Sequence, residues 1–318
     1  MKNHSLSALI LLILMLLTGF SELNAEPGKV RMVIWTVPWG SESEIFNVPE
    51  WAYPGIVFAY DCYRGLKVPG IEKWLKRSLE ALKYYIENNR TVFILFLCEK
   101  YYPKWVWRGY LDKVYTDKQV IQLIKDIVKE GERLYIGFSE QTGCLSSDSC
   151  VIQLIQAYST IKKYLPLAKL FYYGGTEDDF IKILYLYSKI GLDLVGYDIW
   201  EYSALGGKLR PNVIIIARLL GLATSLGKDN IFIGEIGFRR DDSGAYINSW
   251  DWNKRYGKIE ENADALYYDQ VLDYIVKGIK PKFLGIWSCN DEYYAVCEEE
   301  DVQHVLKKYA LNIKKVKY

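Results

Sequence analysis

Ile231-Phe232-Ile233-Gly234-Glu235-Ile236-Gly237-Phe238 reads as a short buried strand, β-branched and aromatic, that stops at Gly234-Glu235 before a Gly237 turn. A carboxylate at the mouth of an apolar strand is costly to bury. Enzymes use that cost to shift ionisation. What this glutamate can do depends on how many strands precede it and what stands at their ends.

Working outward, short β-rich runs alternate with amphipathic helical stretches from residue 30 onward. The strands read as Arg31–Thr36, Gly55–Tyr60, Thr91–Leu97, Arg133–Phe138, Lys169–Tyr173, Leu192–Tyr197, Asn230–Gly234 and Phe283–Trp287. Helical patterns lie between them at Ile71–Asn88, Asp117–Glu130, Val151–Tyr164, Thr176–Ile190, Pro211–Leu226 and Glu260–Lys277. Pro211 fits a first helical turn, and Gly227 and Gly278 fit helix ends. Eight strands separated by helices match a single-domain α/β fold, a (β/α)8 TIM barrel over residues 26–318, in count and length. A doubly wound open sheet is the alternative. It would normally carry a glycine-rich turn after its first strand, where this chain has Trp35-Thr36-Val37-Pro38-Trp39-Gly40.

The chain's first 25 residues stand apart. Lys2 precedes an almost unbroken apolar run from Leu6 to Leu17, and Leu23-Asn24-Ala25 closes it. This is the pattern of a secretory signal peptide, with an uncleaved membrane anchor as the alternative. The rest is expected to be soluble and exported. Few His and Met beside abundant Ile, Tyr, Lys and Glu suggest a thermophilic source.

Composition narrows the chemistry. The 40 basic and 39 acidic residues nearly cancel and form no basic patch, which argues against nucleic acid as a partner. His304 is the only histidine beyond the leader, so Ser-His-Asp catalysis and His-rich zinc sites are excluded. Acid–base work falls to carboxylates or tyrosine. The 27 Tyr and 10 Trp suit sugar rings or simply fill cores. Six cysteines in an exported chain suggest disulfides within the sets Cys144 and Cys150, Cys289 and Cys297, and Cys62 and Cys98. No CxxC motif points to a metal.

Barrel active sites lie at the C-terminal ends of the strands. Those ends carry Trp39, Asp61, Glu99, Ser139-Glu140, Tyr173, Tyr197-Asp198, Glu235 and Trp287. Glu140 ends strand 4 and Glu235 ends strand 7. This placement resembles the clan of retaining glycoside hydrolases with (β/α)8 barrels, in which an acid/base Glu ends strand 4 and a nucleophile Glu ends strand 7. The Gly-Glu-x-Gly form of Gly234 to Gly237 is frequent on the nucleophile strand. Strand 8, Phe283 to Asp291, looks like the clan's last strand, whose Trp, here Trp287, floors the sugar site. Tyr197 stands where family members often have a tyrosine near the nucleophile.

The resemblance implies a glycosidase acting on a β-linked oligo- or polysaccharide without cofactor or metal, with Glu235 as nucleophile and Glu140 as acid/base. Trp287, Tyr197, Ser139, Asp61 and Tyr173 would line the sugar site. Such a mechanism needs two carboxyl groups roughly 5–5.5 Å apart with unequal pKa values. The chain departs from the pattern at Ser139, where the clan usually has Asn. Glu99 is a rival acid, unless it serves only in a loop ion pair with Lys100 or Arg64. Asp198 and Glu201 in Gly196 to Tyr202 partly resemble the family 18 chitinase signature, but Ile199 stands where that signature needs Asp. Trp250 and Trp252, in a long polar loop after strand 7, suggest a substrate wall. A non-catalytic carbohydrate-binding barrel is the second class of function, keeping the aromatics and losing one carboxylate.

Overall fold

The computed structural model describes residues 28–61, 70–102, 104–106, 118–139, 145, 147–175, 178–200, 202–205, 208–211, 213–238, 263–291, 294, 296–311 and 313. Eight parallel strands form the barrel: β1 (Arg31–Thr36), β2 (Tyr53–Asp61), β3 (Val92–Tyr102), β4 (Leu134–Phe138), β5 (Lys169–Gly174), β6 (Leu194–Tyr197), β7 (Phe232–Ile236) and β8 (Phe283–Ile286). They run β7-β8-β1-β2-β3-β4-β5-β6 around the sheet. A parallel bridge between Val195 and Ile231 joins its two ends. Around it lie α1 (Ile71–Glu87), α2 (Lys118–Val128), α3 (Asp148–Tyr164), α4 (Phe180–Ile190), α5 (Val213–Leu226), α6 (Ala263–Gly278) and α7 (Glu300–Tyr309).

Both faces of each barrel strand are covered, as parallel sheets require. Alternation therefore sorts residues between two apolar layers. Met32, Ile34, Ile94 and Ile136 pack outward in the layer shared with the helices. Val33, Trp35, Phe93 and Phe171 fill the barrel's interior. Near the strand starts, Phe93 stacks on Tyr135 with ring centroids 4.4 Å apart, and Phe283 meets Phe93 at 5.0 Å. Arg31 and Lys169 cover Phe283 and Tyr135 as cation–π partners. That end of the barrel is plugged with aromatic rings.

Helix ends follow local chemistry. The Asp179 side chain caps α4 by accepting from Ile181 N at 2.7 Å and Lys182 N at 3.2 Å. Gly191, at φ +71°, closes it, a conformation that L side chains adopt only at a cost. Between β1 and β2 there is one 3-10 turn, Glu44–Phe46, in place of a full helix. α1 and the turn after it compensate: Tyr85 Oη donates to Ile45 O, and Arg90 donates to the carbonyls of Val48, Pro49 and Ala52.

Three details differ from the sequence reading. Pro211 does not open a helix; it ends an antiparallel hairpin of Tyr202–Leu205 with Lys208–Pro211, and α5 begins at Val213. A further short strand, Lys104–Val106, folds back on β3. The strand after α5 does not stop at Gly234 but runs through Glu235 to Ile236. Its register with β8 slips there: Ile233 pairs Leu284 and Ile236 pairs Ile286, so Gly234 and Glu235 together face the single residue Gly285.

Trp35 supports this bulge from inside the barrel. Its indole lies over Gly55, where an added Cβ would meet the ring. Its Nε1 donates to the Gly234 carbonyl at 2.8 Å. Replacing Trp35 with Phe strands that buried acceptor and leaves a small cavity, and is expected to cost about 2–4 kcal/mol. Urea denaturation measures this, and an unchanged midpoint would show that the bulge does not depend on the indole.

Candidate active site

The bulge decides where Glu235 points. Phe232, which opens β7, belongs to the interior layer, and its neighbours Ile231 and Ile233 face the helices. Strict alternation would send residue 235 outward with them. Because two residues occupy one pairing step, Glu235 turns inward and Ile236 returns to the outer layer, which is how bulges re-aim side chains. Three hydrogen bonds fix this backbone. Trp35 Nε1 holds Gly234 O, Ile199 N donates to Glu235 O at 2.8 Å, and Trp287 N donates to Ile236 O at 2.9 Å.

Inside the barrel, Glu235 is 1% exposed. Tyr173, on β5, lays its ring over Gly234, where a Cβ would collide with it, and donates its hydroxyl to Glu235 Oε1. The Trp200 side chain donates a second hydrogen bond to the same carboxylate. Burial pushes the Glu235 pKa up to about 7, while the Tyr173 and Trp200 donors pull against it by favouring the charged form. The result is a carboxylate that ionises near neutrality in a nearly dry site.

The sequence-predicted residues separate. Trp287, just past the end of β8, packs on the interior layer and is 6% exposed; its peptide bond to Ser288 is cis. Ser139 is fully buried just past β4, in step with the inward positions Tyr135 and Gly137. Tyr173 reaches Glu235, whereas its neighbour Tyr172 faces the helices. Tyr197 does not join the site: it lies in the outer layer, where the Arg218 guanidinium covers its ring at 5.6 Å. Alternation accounts for this, since Leu194 points inward and Val195 and Tyr197 point outward. Asp61 and Glu99 pair in register across β2 and β3, their side chains being outside the described part. Glu140, Glu201, Trp250 and Trp252 also lie outside the described residues.

Asp198 is 5% exposed and follows β6 directly, with its N–H bonded to Gly174 O at 2.9 Å. It sits beside Glu235, because the next residue, Ile199, pairs with Glu235 O. Trp200 was missed as a site residue in the sequence. Continuing the inward parity of Leu194 and Gly196 through Asp198 to Trp200 is the signal that finds it. Its indole covers Gly237, where a Cβ would come within 2.7 Å of the ring and 2.9 Å of the Trp287 carbonyl. Of the expected disulfides, Cys289–Cys297 is present at 2.02 Å, bracketing the loop after β8. Cys150 is also disulfide-bonded.

The chain shares its fold with glycoside hydrolase barrels. A chitinase from Bacteroides thetaiotaomicron superposes with a TM-score of 0.55 at 13% identity, covering 89% of this chain and 96% of that one. A glycoside hydrolase family 5 mannosidase from Rhizomucor miehei gives 0.53 at 13% identity, covering 90% and 93%. The active domain 2 of a chitinase from Pyrococcus furiosus gives 0.53 at 12% identity, covering 91% and 99%. No family model and no curated protein sequence matches the chain.

Two measurements check the electrostatics. Glu235 ionises in the unfolded chain near its ordinary value of 4.5 and in the fold near 7. Stability linked to it is therefore complete below pH 4.5 and is lost as pH rises through 7. At about 1.4 kcal/mol per pKa unit, Glu235→Gln is expected to stabilise the fold by about 3 kcal/mol at pH 8 and by nothing resolvable at pH 4. Thermal unfolding of both proteins across that range tests this, and a gain independent of pH would contradict it. Separately, Tyr173→Phe removes a donor to the carboxylate and is expected to raise the Glu235 pKa further, measurable by carbon-detected NMR titration of the glutamate carboxyls.

Proposed function

We propose that the protein is an exported glycoside hydrolase that cleaves a β-linked glycan with retention of configuration, Glu235 acting as nucleophile and Glu140 as acid/base. The observation that carries this reading is the β7 bulge, which gives up backbone regularity to place one carboxylate inside the barrel mouth under two hydrogen-bond donors. The shared fold with a mannosidase and with chitinases supports the substrate class. The leader at residues 1–25 supports export.

In this mechanism Glu140 donates a proton to the departing glycosidic oxygen while Glu235 attacks the anomeric carbon, forming a glycosyl ester and releasing the leaving-group sugar. Glu140, now ionised, takes a proton from water. The resulting hydroxide-like oxygen displaces Glu235 and restores both groups. Tyr173 and Trp200 suit the first step, since their donation stabilises the carboxylate that must attack. Trp287 offers an apolar face to the sugar ring beside it.

A second reading draws on Asp198. Its burial next to Glu235 on the adjoining strand gives a different carboxylate pair, and two of the compared folds are chitinases. Here Asp198, not Glu140, works with Glu235.

The test is hydrolysis of β-mannan, chitin and β-glucan oligosaccharides, with the product anomer read by proton NMR. Wild type is expected to release the anomer of the substrate. Glu235→Gln and Glu140→Gln are each expected to lower kcat/KM by at least about 10³-fold. The acidic limb of the wild-type kcat/KM profile should fall near pH 7 and move upward in Tyr173→Phe, because the nucleophile must be ionised. Full activity in Glu235→Gln would sink the assignment. Inverted product would rule out the covalent route. Loss in Asp198→Asn with activity kept in Glu140→Gln would select the second reading, and binding without turnover would make this a carbohydrate-binding barrel.

A further inference from the structure

Around the open end of the barrel, Trp39, Trp74, Trp200 and Tyr294 rest half-buried on the interior layer. Trp200 and Tyr294 meet edge to face at 6.0 Å beside Glu235. Trp39 and Trp74 meet at 5.7 Å on the other side of β8. The first pair belongs to the site already described. The second stands apart from it, on the loop after β1 and the first turn of α1.

The loop carrying Trp39 is held to an unusual degree for an irregular segment. Asn290 is 2% exposed and uses both ends of its amide on this loop: Oδ1 accepts from Val37 N at 2.8 Å, and Nδ2 donates to Val37 O at 2.8 Å and Ser41 O at 3.1 Å. Ser41 N returns a bond to Asn290 O at 2.9 Å. From α1, Arg77 donates to Pro38 O at 2.8 Å and Gly40 O at 3.4 Å, and pairs with Glu42. Trp39 itself donates its Nε1 to Asp291 Oδ2 at 3.2 Å, which sets the plane of the indole. A tryptophan whose task is only to cap a core is held by burial. This one, besides resting on the interior layer, has its indole fixed by a hydrogen bond and its loop tied by several more, while part of its surface stays open.

We propose that Trp39 and Trp74 form a sugar-binding platform outside the cleavage position, taking a pyranose ring of a glycan chain whose neighbouring unit lies over Trp287. This rests on the glycosidase reading above and extends it: the substrate is a chain of several sugar units, not a disaccharide. A rigid, half-exposed indole offers a large apolar face at little cost in side-chain entropy, which suits the CH-rich face of a pyranose. The platform is tied through Asn290 and Asp291 to the segment that follows Trp287, so the two aromatic surfaces keep a fixed spacing.

The experiment uses the full chain with Glu235→Gln to stop turnover, titrated calorimetrically with β-1,4-linked manno- and chito-oligosaccharides of two to six units. Affinity is expected to rise with length. Trp39→Ala and Trp74→Ala should each lower the ratio of hexamer to dimer affinity about tenfold, and Trp39→Phe, which keeps an aromatic face, should hold that ratio within about threefold of the parent. If the parent binds with this length dependence and both alanine variants keep it, the platform is wrong and the glycan reading stands. If the parent binds no probe of either series and no β-glucan oligosaccharide of the same lengths, the glycan reading fails and takes the platform with it. Thermal melts check folding of each variant. For one that does not fold, fluorine NMR of the 5-fluorotryptophan-labelled parent decides, with the resonance assigned by Trp39→Phe: a Trp39 signal that moves with hexamer supports the platform, and an unmoved signal overturns it.

Discussion

The hydrogen bond from Trp35 to the carbonyl of Gly234 is the constraint on which the site depends. A parallel strand buried on both faces has no neutral place for a carboxylate, since one direction leads into the barrel's aromatic filling and the other into the helices. β7 resolves this by inserting a residue just before its end. The insertion frees a carbonyl from the regular ladder, and a buried carbonyl must be satisfied. Trp35 supplies the donor from within the barrel, and the glycines around it make room: Gly55 lies under its ring and Gly285 faces the Gly234 carbonyl, with no side chain to block the bond. The bulge turns Glu235 into the barrel, and the bare glycines let Trp35 hold that bulge in place.

The same geometry sets the charge. Complete burial alone would hold Glu235 protonated far into the neutral range, as it does for isolated carboxyls in apolar surroundings. Two donors oppose this, and the balance near pH 7 keeps the charged form within reach. The site thus stores an unfavourable ionisation that the rest of the fold offsets. Asp198 beside it adds a second buried acid on the neighbouring strand.

Much of this fold was legible in the sequence because a (β/α)8 barrel is built from local signals. β1 begins and ends where its pattern predicts, α1 lies where its periodicity puts it, α4 ends as expected at Ile190 but begins only at Phe180, and the eight strands count out correctly. At the strand ends the sequence placed Glu235 and Trp287 where the structure brings both to the barrel interior, and of the pair Tyr172 and Tyr173 alternation required one to face each way. What was hidden depends on register. A bulge is a single extra residue in a pairing with a strand about fifty positions away, and no local pattern announces it. Once alternation is followed from β6, Tyr197 falls on the helix side and Trp200 on the cleft side, the reverse of what proximity to the strand end suggests. The hairpin before α5 was hidden for another reason: Pro211 suits a helix start and a strand end equally well, and only its partner Tyr202 decides.

Strand order also explains why the rim is a coherent surface. β8 lies between β7 and β1, so it touches both the strand that carries Glu235 and the strand that leads to Trp39. Its end contributes Trp287 to the interior layer, a backbone bond to the bulge through Ile236, and Asn290 to the loop after β1. The disulfide between Cys289 and Cys297 closes the segment containing Asn290 and Asp291, removing freedom from the piece that holds both sides together. A carboxylate and an aromatic surface on separate loops would drift by more than the few tenths of an ångström that a reacting geometry tolerates. Here both are referred to one strand. The spacing between Glu235 and the Trp39 loop is therefore set by the sheet.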